Sequence, residues 1–205
     1  MLGLLLALAA AVAWFVLARL RRRLESSFLA DELSETGEGT WRAVPAPRAG
    51  GLLTPRVVAG EVGGDAVEVA GSLLFLPFEH PRELAIVRQQ TPAHRSAGFV
   101  STGVEALDCS LAFRSTDGAW LEAFLSREDV RSALGPLCAR AAEDTTIVAV
   151  RVGQGAGDPV YRQLVGGRSG IFVFRDPEAG PLGATDVRDL VRILVPLKRA
   201  LLRAL

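Results

Sequence analysis

Residues 57–69 read VVAGEVGGDAVEV. Two β-rich runs flank Gly63-Gly64-Asp65, and a glycine pair between such runs favours the tight turn of a hairpin. The stretch therefore predicts paired strands over 57–62 and 66–69. Outward from this hairpin, Ser72 to Phe78 is a short apolar run with Pro77 near its end, and Leu84 to Arg88 is a further strand. Asp108 to Arg114 reads as a strand whose positions 107, 109, 111 and 113 alternate onto one apolar face. Thr145 to Val152, Val160 to Val165 and Ile171 to Phe174 complete the strand set.

Helical signals interrupt and close this series. Asp117 is placed to cap a helix through Trp120, Leu121 and Phe124. Ser126-Arg127-Glu128-Asp129 reads as a second start in capping-box style, and Gly135-Pro136 should weaken or stop that helix. Thr185 to Leu205 has a 3.6-residue period. Leu190, Val191, Leu194, Leu197, Leu201 and Leu205 form its apolar stripe, Arg188, Arg192, Arg199 and Arg203 its opposite face, and Pro196 predicts a kink. The sum is an α+β fold: one mainly antiparallel sheet domain over 52–205, with a central helical insert and a C-terminal amphipathic helix.

The N-terminus stands apart. Residues 1–18, MLGLLLALAAAVAWFVLA, carry no charged side chain, and Arg19, Arg21, Arg22 and Arg23 come directly after them. At about 1.5 Å per residue, an apolar helix over 2–18 covers most of a ~30 Å hydrocarbon core. A cleaved signal peptide has its positive charge before the apolar run and small residues after it, the reverse of the order here. Residues 1–24 therefore read as an uncleaved single-pass transmembrane anchor with a basic flank. Arginines stay on the cytoplasmic side, so the expectation is an inner-membrane protein with its C-terminal domain in the cytoplasm. Residues 25–51 read as an extension of the helix and then a connector, broken by Pro45, Pro47, Gly50 and Gly51.

Composition narrows the function classes. The 205 residues include 23 basic and 23 acidic side chains; without the four flank arginines, 19 basic residues face 23 acidic ones. Such a mildly acidic domain argues against nucleic-acid binding, which needs a basic face. Lys198 is the only lysine, and the heavy use of Ala, Gly, Leu and Val is that of a GC-rich, bacterial coding bias.

No residue cluster declares a chemistry. Cys109 and Cys138 are the only cysteines and both read as small core residues. His80 and His94 are the only histidines, each beside a proline turn, and neither has a helical i, i+4 ligand partner, so no metal or cofactor is expected. Gly153-Gln154-Gly155-Ala156-Gly157 imitates a phosphate loop but leads into Asp158-Pro159-Val160 instead of a helix, as does Gly166-Gly167-Arg168-Ser169-Gly170 before a strand. Asp108 and Ser110 read as solvated polar residues on the outer side of their strand.

The segment Thr102-Gly103-Val104-Glu105-Ala106-Leu107-Asp108-Cys109-Ser110-Leu111-Ala112-Phe113 resembles part of a group of uncharacterised bacterial single-pass membrane proteins. In these a TG turn leads to an FD-containing strand, then an acidic turn and two short helices. Asp117-Gly118 through Arg131 fits that plan; Asp108 matches the Asp, and Leu107 stands where the Phe is usual. The resemblance covers residues 100–135 and the overall order of elements, and implies a membrane-anchored α+β protein without a known activity. The expected function is a membrane-tethered, non-enzymatic module that binds a partner protein or scaffolds an assembly, with the bilayer held through residues 2–18. The alternatives are a hydrolase with a dispersed site, and lipid-surface sensing through the arginine face of the C-terminal helix.

Overall fold

The computed structural model of the chain describes residues 2–37, 39–46, 56–88, 99–108, 110–154 and 166–205. Eight strands form one sheet: β1 (Thr40–Pro45), β2 (Arg56–Val62), β3 (Asp65–Ala70), β4 (Leu73–Pro77), β5 (Leu84–Arg88), β6 (Leu111–Arg114), β7 (Ile147–Gly153) and β8 (Gly170–Arg175). Their spatial order is β1-β2-β3-β4-β8-β7-β5-β6, and every neighbouring pair is antiparallel. The hairpin of 57–69 is β2–β3, with Val62 opposite Asp65 across the Gly63-Gly64 turn. Both glycines have positive φ, 58° and 87°, a conformation that L side chains rarely adopt.

Among the described residues, five helices accompany the sheet: α1 (Leu2–Glu35), α2 (Glu105–Asp108), α3 (Gly118–Ser126), α4 (Glu128–Glu143) and α5 (Ala184–Leu202). A 3-10 turn over Pro177–Ala179 precedes α5. Their buried side chains share one core with one parity of each central strand: Val69 of β3, Leu74 and Leu76 of β4, Val150 and Val152 of β7, and Ile171 and Val173 of β8. All five helices thus lie on one face of the sheet. The opposite parity, Leu73, Phe75 and Phe172, forms a separate small cluster.

Local sequence explains most of these elements. Asp117 caps α3 as expected, its Oδ1 accepting from the Trp120 N–H at 2.9 Å. Leu190, Val191, Leu194, Leu197 and Leu201 of α5 are at most 1% exposed, so the predicted stripe packs except at Leu205, which lies past the end of the helix and is 68% exposed. The anchor helix continues past the arginines, as expected, and reaches Glu35.

Several expectations are corrected. Gly135-Pro136 does not stop its helix: α4 runs through Pro136, just as α5 runs on through Pro196. Both prolines are exposed, so the carbonyl each leaves without an amide donor faces water while the buried side of the helix stays intact. Ser126 is not an N-cap; it is the last residue of α3 and its hydroxyl donates to the Ala123 carbonyl at 2.7 Å. The strand predicted from Asp108 starts only at Leu111, and Leu107 and Asp108 belong to α2. The connector 25–51 contains β1, whose Trp41 packs over Gly60 of β2. Cys109, His94 and the strand predicted over 160–165 lie outside the described residues.

The anchor is corrected in part. Among the described residues, no helix is long and apolar enough to cross a membrane. What the structure shows is a single 34-residue helix whose last turns dock on the sheet and whose first half is exposed.

Candidate functional site

The most unusual surface belongs to α1. Leu29 packs against the core, and Ala30 and Leu33 are part of it. N-terminal to them, Leu8 is 62% exposed, Val12 56%, Trp14 74%, Phe15 51% and Leu17 65%. At 3.6 residues per turn these side chains point in every direction around the helix. An amphipathic surface helix would show one apolar stripe; this half of α1 is apolar all round. Arg19 is half-buried, and Arg21, Arg22 and Arg23 are exposed. Among them Arg21 forms an exposed ion pair with Glu25 at 2.8 Å.

The C-terminal arginines are placed differently. The apolar stripe of α5 from Leu190 to Leu201 is buried in the core, and among the described residues of this helix region only Leu202 and Leu205 are exposed large apolar side chains. Arg203 donates to Asp129 through Nε and Nη2, at 3.1 and 2.9 Å. Arg127 grips the same carboxylate and also donates to the Arg203 carbonyl. Hydrogen bonds from these two guanidiniums hold the Asp129 carboxyl down at about 2. Arg188 donates to Ala184 and Thr185 of its own helix. Arg192 lines a shallow groove of about 380 Å³ between α4 and α5, with Pro136, Ala139, Arg140, Glu143, Asp189 and Ile193. Arg199 is exposed.

Two polar clusters escaped the sequence reading. Asp108 is the centre of a clasp on the loop before α2. Its Oδ1 accepts from the Thr102 amide and hydroxyl, both at 2.8 Å, and its Oδ2 from the Ser101 hydroxyl at 2.5 Å and the Gly103 N–H at 3.1 Å. Partial burial pushes this carboxyl up, but the donors outweigh it and hold the group below the ordinary aspartate range. The expectation of a merely solvated Asp108 is thereby corrected. The TG pair supplies two amide donors to an acceptor six and five residues on, a spacing visible in the sequence once residue 108 is known to be helical.

The second cluster ties four elements together. Arg140 of α4 contacts Asp144 at 3.3 Å and Asp186 of α5 at 2.9 Å; Arg175 of β8 contacts Asp186 at 3.1 Å and the Thr146 hydroxyl at 2.8 Å. Burial raises the Asp144 carboxyl, while the Thr146 hydroxyl and amide, Arg140 and Arg175 lower it by more. Opposing charges are matched within this knot, which suits a structural clamp.

His80 is buried, with Nδ1 2.9 Å from the Arg82 carbonyl. The Arg82 backbone N–H lies 3.2 Å from the same Nδ1, and Nε2 has no hydrogen-bond partner among the described residues. Its surroundings are the rings of Trp120 at 5.7 Å and Phe78 at 5.9 Å. Cys138 is buried in α4, its thiol 3.0 Å from the Ala106 carbonyl. Among the described residues, no group of three or more His, Cys, Asp or Glu is arranged to hold a metal ion.

On the helix-free face, the Phe75 and Phe172 rings stack at 4.6 Å. Arg168 lies over Phe75 and binds Glu68 through both guanidinium nitrogens at 2.6 Å. Phe75 and Phe172 are 1% and 0% exposed, so they are core rather than a stacking platform.

Comparison of the chain with protein-family models, curated proteins and solved structures gives no match.

Proposed function

We propose that this chain is a membrane-tethered, non-enzymatic module. In this reading residues 2–18 insert into a bilayer, and the α+β domain is presented to a protein partner on the cytoplasmic face. The observation that carries it is the exposure of large apolar side chains all around the first half of α1, which water does not tolerate as one continuous surface. The four arginines at 19–23 support an anionic, cytoplasmic-leaflet setting, each adding about 1 kcal/mol near such headgroups. The absorbed apolar face of α5 and the pairing of Arg203 favour α1 over α5 as the lipid-binding element.

Flotation with phosphatidylcholine–phosphatidylglycerol vesicles tests the tether. The full chain should float. The double substitution Leu8→Asp with Val12→Asp should leave it in the soluble fraction, since each aspartate costs about 2.5–3.5 kcal/mol near the centre of an inserted helix. A doubly substituted chain that still floats would refute insertion through α1. A C-terminal reporter active only outside the cytoplasm would refute the orientation. Pull-down from native membranes that recovers nothing but this chain would sink the partner-binding reading.

A further inference from the structure

The tether leaves part of α1 unexplained. Leu17, Leu20, Leu24 and Phe28 recur at intervals of three, four and four residues and are 65%, 49%, 57% and 69% exposed. Three- and four-residue spacing places them on one side of the helix. Leu29, Ala30 and Leu33, which dock on the domain, lie on the opposite side. The stripe therefore points directly away from the body of its own protein.

Lipid does not account for this stripe. A helix lying flat with the stripe in the bilayer would leave Leu4, Leu8 and Phe15, on the domain side, in water. With the first half inserted instead, the unbroken helix carries Leu24 and Phe28 about 8 and 14 Å past Arg19, beyond a headgroup layer ~6 Å deep. Three of these four side chains, from Leu20 on, are then left in or beyond the headgroups.

We propose that the stripe pairs with the same stripe of a second copy of this chain, as a short parallel coiled coil beside the membrane. This rests on the tether, which holds two copies parallel and in register. Charge placement fits the pairing from Leu17 to Leu24: Arg19 and Arg22 lie on the domain side, and Arg21 and Arg23 flank the stripe without entering it, whereas the exposed Asp31, seven residues after Leu24, is the next position of this seam and ends it. Arg21 is already matched by Glu25 on its own helix. Leu17, Leu20 and Leu24 occupy successive a and d positions of one heptad seam. Upstream, Ala10 and Ala13 continue that seam with side chains small enough for close approach inside lipid. The four stalk side chains of two copies hide roughly 900 Å² in total, short of the ~1,200 Å² of a stable interface. Pairing thus also draws on the Ala10–Ala13 part of the seam in the first half of α1.

Cysteine cross-linking of the full chain in phosphatidylcholine–phosphatidylglycerol vesicles tests the pairing. Cys109→Ser removes one native thiol, and Cys138 is buried. Single Leu20→Cys and Leu24→Cys variants should then oxidise to disulfide dimers in roughly tenfold higher yield than Arg19→Cys or Arg22→Cys, because only a and d positions face each other. All four positions are at the surface or half-exposed, so circular dichroism should show each variant folded. Equal yields at all four positions, no dimer at 20 and 24, or quenching of a fluorophore at 24 by spin-labelled lipid would each overturn the pairing. Flotation of the same samples separates the two readings. A chain that floats without cross-linking at 20 and 24 refutes the pairing alone. A chain that fails to float but cross-links at 20 and 24 in detergent micelles refutes the tether and leaves the pairing standing.

Discussion

Replacing Asp108 by Asn isolates what the clasp contributes to the domain. The carboxylate accepts four hydrogen bonds, two at each oxygen. Asparagine keeps Oδ1 and with it both bonds from Thr102. Its amide nitrogen, however, stands where Oδ2 was, facing the Gly103 N–H, while the Ser101 hydroxyl can turn to accept instead of donate. One charge-assisted backbone bond is lost and the rest lose their charge. A bond to an ionised group contributes about 1.5–3 kcal/mol, reduced here because water reaches the half-exposed loop. The expected cost is therefore about 1–2 kcal/mol at neutral pH. In urea unfolding of the detergent-solubilised chain this is a fall in midpoint of roughly 0.5–1 M with an unchanged slope.

The sign of the pH dependence comes from the lowered Asp108 carboxyl. Between its folded value and the unfolded value of about 3.9, the unfolded chain binds the proton and the folded chain does not. The stabilisation is thus complete above the unfolded value and fades as pH falls through the folded one. Wild type and Asp108→Asn should converge in acid, where the protonated acid and the amide offer the same single acceptor. A midpoint unaltered at pH 7, or a gap that stays constant down to acid unfolding, would refute the clasp as a stabilising device.

Two further substitutions probe packing and the end of α5. A Cβ at residue 60 would collide with the indole of Trp41 and stand 2.9 Å from the Thr40 carbonyl, so Gly60→Ala should cost about 1–3 kcal/mol as overpacking, with red-shifted tryptophan emission; unchanged thermal unfolding would refute the contact. Asp129→Asn removes the anchor shared by Arg127 and Arg203, so amide exchange over 201–204 should accelerate while global unfolding barely moves. In wild type the same fraying should set in as pH falls from the ordinary value of 3.8 toward the carboxyl's value of about 2, because the depressed group's full stabilisation is present only above the unfolded value; protection lost already near pH 5 would contradict it.

The sheet was legible wherever strands were bounded by turn chemistry. Gly63-Gly64, Gly71 and the prolines at 77 and 81 delimit β2 to β5 almost to the residue. Reading failed where tertiary contacts override local pattern. β1 is six residues ending in Pro45, with little period of its own; it is a strand because Trp41 finds the flat surface of Gly60. In sequence, residues 107–113 alternate like one continuous strand, yet the clasp on Asp108 turns the chain into α2, and β6 starts three residues later. Pro136 and Pro196 are strong local stop signals, outweighed by helix faces whose buried residues run on past them. The clamp of Arg140, Asp144, Arg175 and Asp186 joins residues up to 46 apart in sequence and leaves no linear trace. The arginines after residue 18 were visible at once, since charge order along a terminal helix needs no fold to be read.

The two arginine groups answer to different contacts, and the continuity of α1 explains why. No glycine or proline interrupts the chain between Gly3 and Gly37, so the exposed half of the helix and the docked half are one rod. That rod turns into β1 at the end of the sheet where Thr40 pairs with Glu61, having packed over β1 and β2 on the way. Helix α5 ends at the same end, its Lys198 donating to Asp65 at 2.7 Å, and begins near Gly71 at the other. The exposed first half of α1, the part inserted in the proposed tether, therefore lies toward the start of α5. Arg188 is the nearest of the C-terminal arginines to it, and Arg203 lies fifteen residues further on, about 22 Å along the helix. A bilayer around residues 2–18 cannot meet all four at once, and Arg203 is engaged by Asp129 in any case. Under the proposed tether, lipid attraction would fall to Arg19, Arg21, Arg22 and Arg23, while the exposed Arg199 of α5 would stand further from the bilayer.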